Sequence, residues 1–469
     1  MKRTCFALVV LAISTMVVSQ NALKKFTDNP LLQNANISLL VKDLKTGATL
    51  YELRSKNTAT TASTMKVITT ATALELLGPD FRFETRLEVD GEIAKDSTLR
   101  GNLYIRGGGD PTLGSDKIGD KDFLNQWIVA LHKAGIKNIA GKIIADPGIF
   151  EKQVINPKWT WEDMGNYYAP GIHGISYMDN TYRAYFNSGK VGTVAQITRI
   201  DPEIKGHKIE SFVKSANISF DNAYFYGAPF SNDRIVTGQI PANKTDFVVK
   251  GDIPDPALLL ANHLRERLIA SGGSVTGQAE VQYNPECKKF VVYTHYSPPL
   301  SEIITETNVK SNNHYAEYLF KYIGSRSVVP STVDASISSI RAFWQAKGLP
   351  VDQLFQYDGS GLSPVNAVSA GFFVELLTYM KNKSRYSGVF YNSLPVSGVS
   401  GTLKSILEKT ALQGKVHAKS GTIESVKSYT GYIEAPKGTL VFAILVNNAY
   451  GTSKEVVKKM ESFMLDIAR

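Results

Sequence analysis

The chain has 469 residues, enough for about three domains at roughly 150 residues each, and is 43% hydrophobic and 20% charged. That balance excludes a disordered or fibrous protein. The formal charge of +9 comes without a dense basic run, which excludes the usual nucleic-acid footprint and suits a mildly anionic surface. Two cysteines exclude a disulfide scaffold.

Met1-Lys2-Arg3-Thr4 is followed by an almost wholly apolar run from Cys5 to Val18 and then by Ser19-Gln20-Asn21. A short positive segment, an apolar core and a small residue at its end read as a secretory signal over residues 1–19. The run falls short of the roughly 20 residues a membrane span needs. Export out of the cytoplasm, to a periplasmic or cell-envelope location, is the expectation. Removal of the leader leaves Cys287 as the single thiol.

Asn36 to Asp43 and Ala48 to Leu53 read as strands around a Lys45-Thr46-Gly47 turn. Thr64 to Leu77 has helical periodicity and stops at Gly78-Pro79. From Phe83 to about Gly277 the texture becomes short alternating runs, such as Phe83 to Val89, Lys142 to Ala145 and Gln196 to Ile200. Helices are predicted there over Asp120 to Ala134 and Pro256 to Ser271. From Ile303 on, helical patterns dominate again, with helices predicted over Tyr315 to Ile323, Val333 to Lys347, Ser369 to Lys381 and Ser453 to Arg469. Val416 to Lys419, Tyr429 to Glu434 and Leu440 to Asn447 read as strands, the last two joined through Pro436-Lys437-Gly438. The simplest organisation is one α/β domain made from both ends of the chain, residues 20–84 and 290–469. A β-rich insertion, residues 85–289, interrupts it and is long enough for two nested domains.

Three short motifs carry chemistry. In Ser63-Thr64-Met65-Lys66, at the start of a helix, residues three apart share a face, so the Ser63 hydroxyl and the Lys66 amine can meet. Serine is a poor nucleophile until a base takes its proton. Lysine can be that base only if burial, a second cation or a helix N-terminus lowers its pKa. Ser311-Asn312-Asn313 supplies a relay hydroxyl and an orienting amide before the next helix. Lys419-Ser420-Gly421-Thr422, on a strand, supplies the second cation and a carboxylate-binding hydroxyl. Gly421 there lets the backbone approach a substrate closely. The Ser63 and Thr422 N–H groups can together form an oxyanion hole. Each motif has a decoy. Ser211 to Lys214 and Ser215 to Asn217 lie in strand-like sequence, and Lys45 to Gly47 lies in a turn. Only the set that runs Ser-x-x-Lys, Ser-x-Asn, Lys-Ser-Gly has the required order and context. The seven histidines form no metal-binding pair, and a one-turn pair, His314 and Glu317, reads as a solvated helix face.

This motif set resembles that of penicillin-binding proteins and serine β-lactamases. The long insertion between Lys66 and Ser311 identifies the chain as similar to the low-molecular-mass class C penicillin-binding proteins, the D-alanyl-D-alanine carboxypeptidase/endopeptidase family. Asp358-Gly359-Ser360-Gly361-Leu362-Ser363 and Gly401-Thr402-Leu403 also look like the family's segments, although Pro364 stands where the family often has an arginine. The resemblance implies an α+β transpeptidase-like domain, an antiparallel sheet flanked by helices, with the β-rich insertion beside it. It implies a serine peptidase acting on peptidoglycan stem peptides and acylated by β-lactam antibiotics, with no cofactor, metal or nucleic acid. Ser63, Lys66, Ser311, Asn313 and Lys419 would be catalytic. Ser420, Gly421 and Thr422 would bind substrate, joined by Asp146 and Phe150 from Asp-Pro-Gly-Ile-Phe, which match a family stretch near the cleft. Peripheral attachment to membrane or wall and self-association are compatible with the sequence. A β-lactamase or esterase on the same fold and a non-catalytic wall-binding protein remain as other readings.

Overall fold

The computed structural model describes residues 21–469, so the leader expected over residues 1–19 lies outside the described residues. The chain divides into two compact units. One comprises residues up to 79 with 304–312 and 337–469, and the other comprises 80–303 with 313–336.

The first unit is built on a five-stranded antiparallel sheet in the order Thr49–Leu53, Asn36–Asp43, Gly438–Asn447, Val426–Ala435, Val416–Ile423. Gly438–Asn447, at its centre, is buried at eight successive positions instead of every second one. Both its faces are covered. Phe442, Ile444 and Val446 pack with Val456, Met460, Phe463 and Met464 of the last helix, Ser453–Ile467. The helix Ala370–Asn382 packs on the strand and on Asn36–Asp43, and on that side Tyr432 donates to the Leu377 carbonyl at 2.8 Å. Both helices start at a side-chain cap: Ser369 accepts from the Phe372 N–H, and Thr452 and Glu455 form a reciprocal capping box. The helix Met65–Leu77 is buried on all sides from Met65 through Leu74, as a central helix is, with Lys66, Thr69, Thr70 and Thr72 among the enclosed residues. It ends at Gly78, whose φ of +83° a side chain would resist. Trp344 Nε1 donates to Thr72 Oγ1 at 2.8 Å and fixes this helix from the side.

The second unit holds the inserted strands. Its five-stranded sheet runs Ala279–Val281, Ile143–Asp146, Leu103–Arg106, Glu84–Val89, Phe290–Tyr296, parallel at one side and antiparallel at the other. Smaller sheets are built on Thr181–Asn187 and on Asp233–Pro241. One hydrophobic cluster links Leu103 and Ile143 of the large sheet, Trp127 and Leu264 of two helices, and Phe186 and Val236 of the smaller sheets. The helix Asn313–Ser325 packs within this unit, through Tyr315 to Ser115 and Lys321 to Glu151. Residues 313–336 thus leave the terminal segment to which the sequence reading assigned them. His314 and Glu317 are buried there, 4% and 3% exposed, and not on a solvated face. The reason is a partner from distant sequence: His314 Nε2 sits 2.9 Å from Ser176 Oγ, so a polar ring is tolerated inside.

Candidate active site

Ser63 lies in a 3-10 turn, Ala62–Thr64, that leads into the helix Met65–Leu77. In that turn residues three apart nearly eclipse. Lys66 Nζ reaches Ser63 Oγ at 2.9 Å. Lys66 has no exposed surface and also donates to the Ser360 carbonyl at 2.6 Å. Ala62, the residue before the serine, holds a left-handed φ of +47°, the kind of local strain that needs surrounding structure to persist.

Lys419 comes from the edge strand Val416–Ile423 and is likewise fully buried. Its Nζ donates to Ser311 Oγ at 2.9 Å and to the Ser420 carbonyl at 2.7 Å. Burial, and then the charge of Lys66, holds the Lys419 ammonium well below the usual 10.5. Ser311 reaches it from a left-handed backbone, φ +57°. Ser420 Oγ donates to Thr402 Oγ1 at 2.7 Å.

The strand passes the serine closely. A Cβ on Gly421 would fall 2.2 Å from Ser428 Oγ, 2.5 Å from the Thr61 carbonyl and 3.1 Å from the Ser63 nitrogen. Glycine alone fits there. The Ala418 N–H donates outward, to the Pro395 carbonyl at 3.0 Å. By the period of two the Thr422 N–H faces the same open side of the sheet. The Thr422 hydroxyl accepts from Lys427 Nζ at 2.9 Å.

Ser63, Lys66, Ser311, Lys419, Ser420 and Gly421 are thus linked within the first unit. Asn313, Asp146 and Phe150 belong to the second. Asn313 opens its helix and donates its amide to the Tyr168 carbonyl at 2.9 Å. Phe150 has no exposed surface and packs on Tyr318 at 5.8 Å, so it is a core residue and not a substrate-binding one. Asp146 is 2% exposed, and its carboxylate accepts from the N–H groups of Gly148 and Asn284, with Lys289 at 3.7 Å. It organises a turn at a strand end. The decoys fall where the sequence put them. Ser211 ends one strand and Lys214 begins another, while Gly47 sits in a turn with φ +73°.

The three motifs left the loop that touches Lys66 without a catalytic role. Asp358 accepts from the Gly361 N–H at 2.7 Å and the Ser363 N–H at 2.6 Å, and Thr69 Oγ1 donates to the Gly359 carbonyl. These bonds present the Ser360 carbonyl to Lys66. The sequence marks this stretch, Asp358 to Ser363, only through its likeness to the family's segment.

A buried lysine on a half-buried serine, a second buried lysine and a glycine strand edge define a serine acyl-transfer centre. The chain belongs to the D-Ala-D-Ala carboxypeptidase 3 (S13) family, whose model matches residues 19–469. Membership makes it a hydrolase of the D-Ala-D-Ala carboxypeptidase class, as the order of the three motifs implied. It is 29% identical over 452 residues to a D-alanyl-D-alanine carboxypeptidase of Actinomadura sp. (strain R39), an alignment covering 92% of this chain and 81% of the relative. Its fold matches that of penicillin binding protein 4 from Haemophilus influenzae with a TM-score of 0.80, at 20% identity, over 95% of this chain and 98% of the other. That protein has also been solved in complex with a β-lactam. A predatory peptidoglycan endopeptidase from Bdellovibrio bacteriovorus shares the fold at a TM-score of 0.51 and 16% identity, over 93% of each chain. Among the described residues no helix is long and apolar enough to cross a membrane.

Proposed function

We propose that Ser63 is the nucleophile and Lys66 its base in hydrolysis of the D-Ala-D-Ala bond at the end of a peptidoglycan stem peptide, in the cell envelope after export. The Ser63 Oγ proton passes to Lys66 Nζ as Oγ bonds to the scissile carbonyl carbon. The oxyanion that forms is held by the Ser63 and Thr422 N–H groups. The C–N bond then breaks, and the leaving D-alanine nitrogen takes a proton by way of Lys66 and Ser311. Water, losing its proton to Lys66, attacks the acyl-enzyme and frees Ser63. Lys419, Ser420 and the open strand edge hold the substrate carboxylate and backbone. Two lysines in one dry site resist carrying two charges, which favours the neutral amine a serine needs.

The observation that carries this reading is the 2.9 Å approach of buried Lys66 to Ser63. A β-lactam ring opened by the same Ser63 leaves a slowly hydrolysed adduct. The test is intact-protein mass spectrometry with benzylpenicillin, beside D-alanine release from a stem pentapeptide. One adduct on the peptide holding Ser63 is expected, with both adduct and release lost in Ser63→Ala. Undiminished D-alanine release by Ser63→Ala would sink the assignment. Turnover of penicillin without an adduct would favour a β-lactamase. The same acyl-enzyme serves hydrolysis of peptide cross-bridges, which muropeptide analysis of digested sacculi reads directly.

A further inference from the structure

The second unit contains a cavity of about 350 Å³ with no residue from the unit that carries Ser63. Three arginines line it: Arg82, Arg86 and Arg106. Their placement follows from register. Arg86 and Arg106 stand directly opposite on neighbouring antiparallel strands. Opposite side chains there lie about 5 Å apart, and two like charges repel. Nearby carboxylates relieve only part of this. Glu84 accepts from Arg86 at 2.5 and 3.1 Å. Asp146 is the next residue across the sheet from Arg106, yet its carboxylate is engaged by the N–H groups of Gly148 and Asn284. Arg82 gives one nitrogen to the Ser297 carbonyl at 2.7 Å. The Arg106 side chain is exposed at the end of its strand and has no hydrogen-bond or ion-pair partner among the described residues, so its guanidinium is open to a ligand from solvent. The lining also includes the carboxylates of Glu84 and Asp146, engaged as above, and the apolar groups of Phe81, Ile149 and Tyr322.

We propose that this cavity binds a free carboxylate of a peptidoglycan stem peptide, with the fork of Arg106 as its principal donor, and so holds the polymer while the serine site works on it. The chemistry is that of the guanidinium group, which offers a carboxylate two parallel N–H bonds. The apolar wall suits the aliphatic part of the same peptide. The inference rests on the peptidoglycan reading above. It is separable from it, because retention on the polymer and bond cleavage are measured independently.

The test uses the full mature chain and purified sacculi. Arg106→Gln and Arg106→Glu are compared with the parent in cosedimentation at fixed ionic strength, with Arg106→Lys as the charge-conserving variant. Loss of one charge-assisted contact should weaken retention by about fivefold or more, with Arg106→Glu worst and Arg106→Lys partly restored. Release of D-alanine from a soluble pentapeptide should stay within about twofold of the parent in every variant, which also shows that each is folded. Sacculi whose carboxylates have been converted to amides should bind parent and Arg106→Gln alike. Equal retention of parent and Arg106→Glu on untreated sacculi would overturn the proposal. So would an Arg106-dependent difference that survives amidation, which would assign the site to a phosphate. A parent that pellets in an Arg106-dependent way but releases no D-alanine would instead contradict the assignment of Ser63.

Discussion

Lys419 shows how one buried amine ties stability to chemistry. Its pKa in the folded protein is depressed, by burial first and by Lys66 second. Between that depressed value and the usual 10.5, the unfolded chain binds a proton that the folded chain does not. Stability therefore rises with pH across this window. The penalty of burying the charge is at full size below the folded pKa and gone above the unfolded one. Each unit of depression corresponds to about 1.4 kcal/mol. Replacing the amine by an uncharged side chain of similar length should remove this dependence. We expect Lys419→Met to be inactive toward D-Ala-D-Ala peptide. Its melting temperature should gain on the parent as the pH is lowered toward neutrality and lose that gain toward pH 10.5. Thermal melts of both proteins across the alkaline range check this. Parallel curves would mean that Lys419 keeps its proton in the fold.

At the level of elements, the site depends on how closely the strand Val416–Ile423 runs past the 3-10 turn of Ser63. Gly421 sets that approach, since an added methyl group meets Ser428 Oγ and the Thr61 carbonyl well inside contact distance. Backbone cannot yield as a flexible side chain does, so the strand itself must shift. Gly421→Ala should cost about 1–3 kcal/mol of stability, the usual range for overpacking. Its acylation by penicillin should slow by about a hundredfold or more, as when one oxyanion donor is misplaced. A stopped acylation time course beside a denaturant melt separates the two effects, and near-parent acylation would show that the strand has slack. This glycine was legible in the sequence because a side-chain motif flanks it. So were Ser63 with Lys66, and Ser311, because each depends on residue type at a fixed spacing. The Ser360 carbonyl on Lys66 was not legible, because a backbone acceptor carries no residue signature. The helix Leu300–Val309 lies where helical pattern sets in near Ile303 but is too short to be given bounds, and Ser387–Asn392 has six residues, too few to show a period. The helix Asn313–Ser325 was found, but its enclosure was not. His314 and Lys321 look like surface residues until Ser176 and Glu151 come from distant sequence to pair with them. Phe150 erred in the opposite direction: a match to a family stretch suggested a ligand contact where the fold uses a core ring.

For the molecule as a whole, the excess of positive charge acts at a longer range than any single contact. The full sequence carries +9, and loss of Lys2 and Arg3 with the expected leader leaves +7, spread without dense runs. That charge attracts an anionic polymer through solvent, and the attraction is screened by salt. The screening length is roughly 30 Å at 0.01 M and roughly 8 Å at 0.15 M ionic strength. Buried interactions in the Ser63 site are shielded from this change, since Lys66 and Lys419 have no exposed surface. The two kinds of substrate should therefore separate. Raising the ionic strength over that range should slow capture of sacculi several-fold, while hydrolysis of a soluble, near-neutral peptide changes by less than about twofold. Arg106→Gln should show the same salt dependence from a lower starting level, because it removes one contact and leaves the field of the molecule nearly intact. Rates on both substrates at stepped salt concentrations provide the measurement. A soluble peptide that loses rate as steeply as the polymer would place the salt-sensitive charges in the catalytic site. A polymer that ignores salt would mean that it is held by short-range contacts alone.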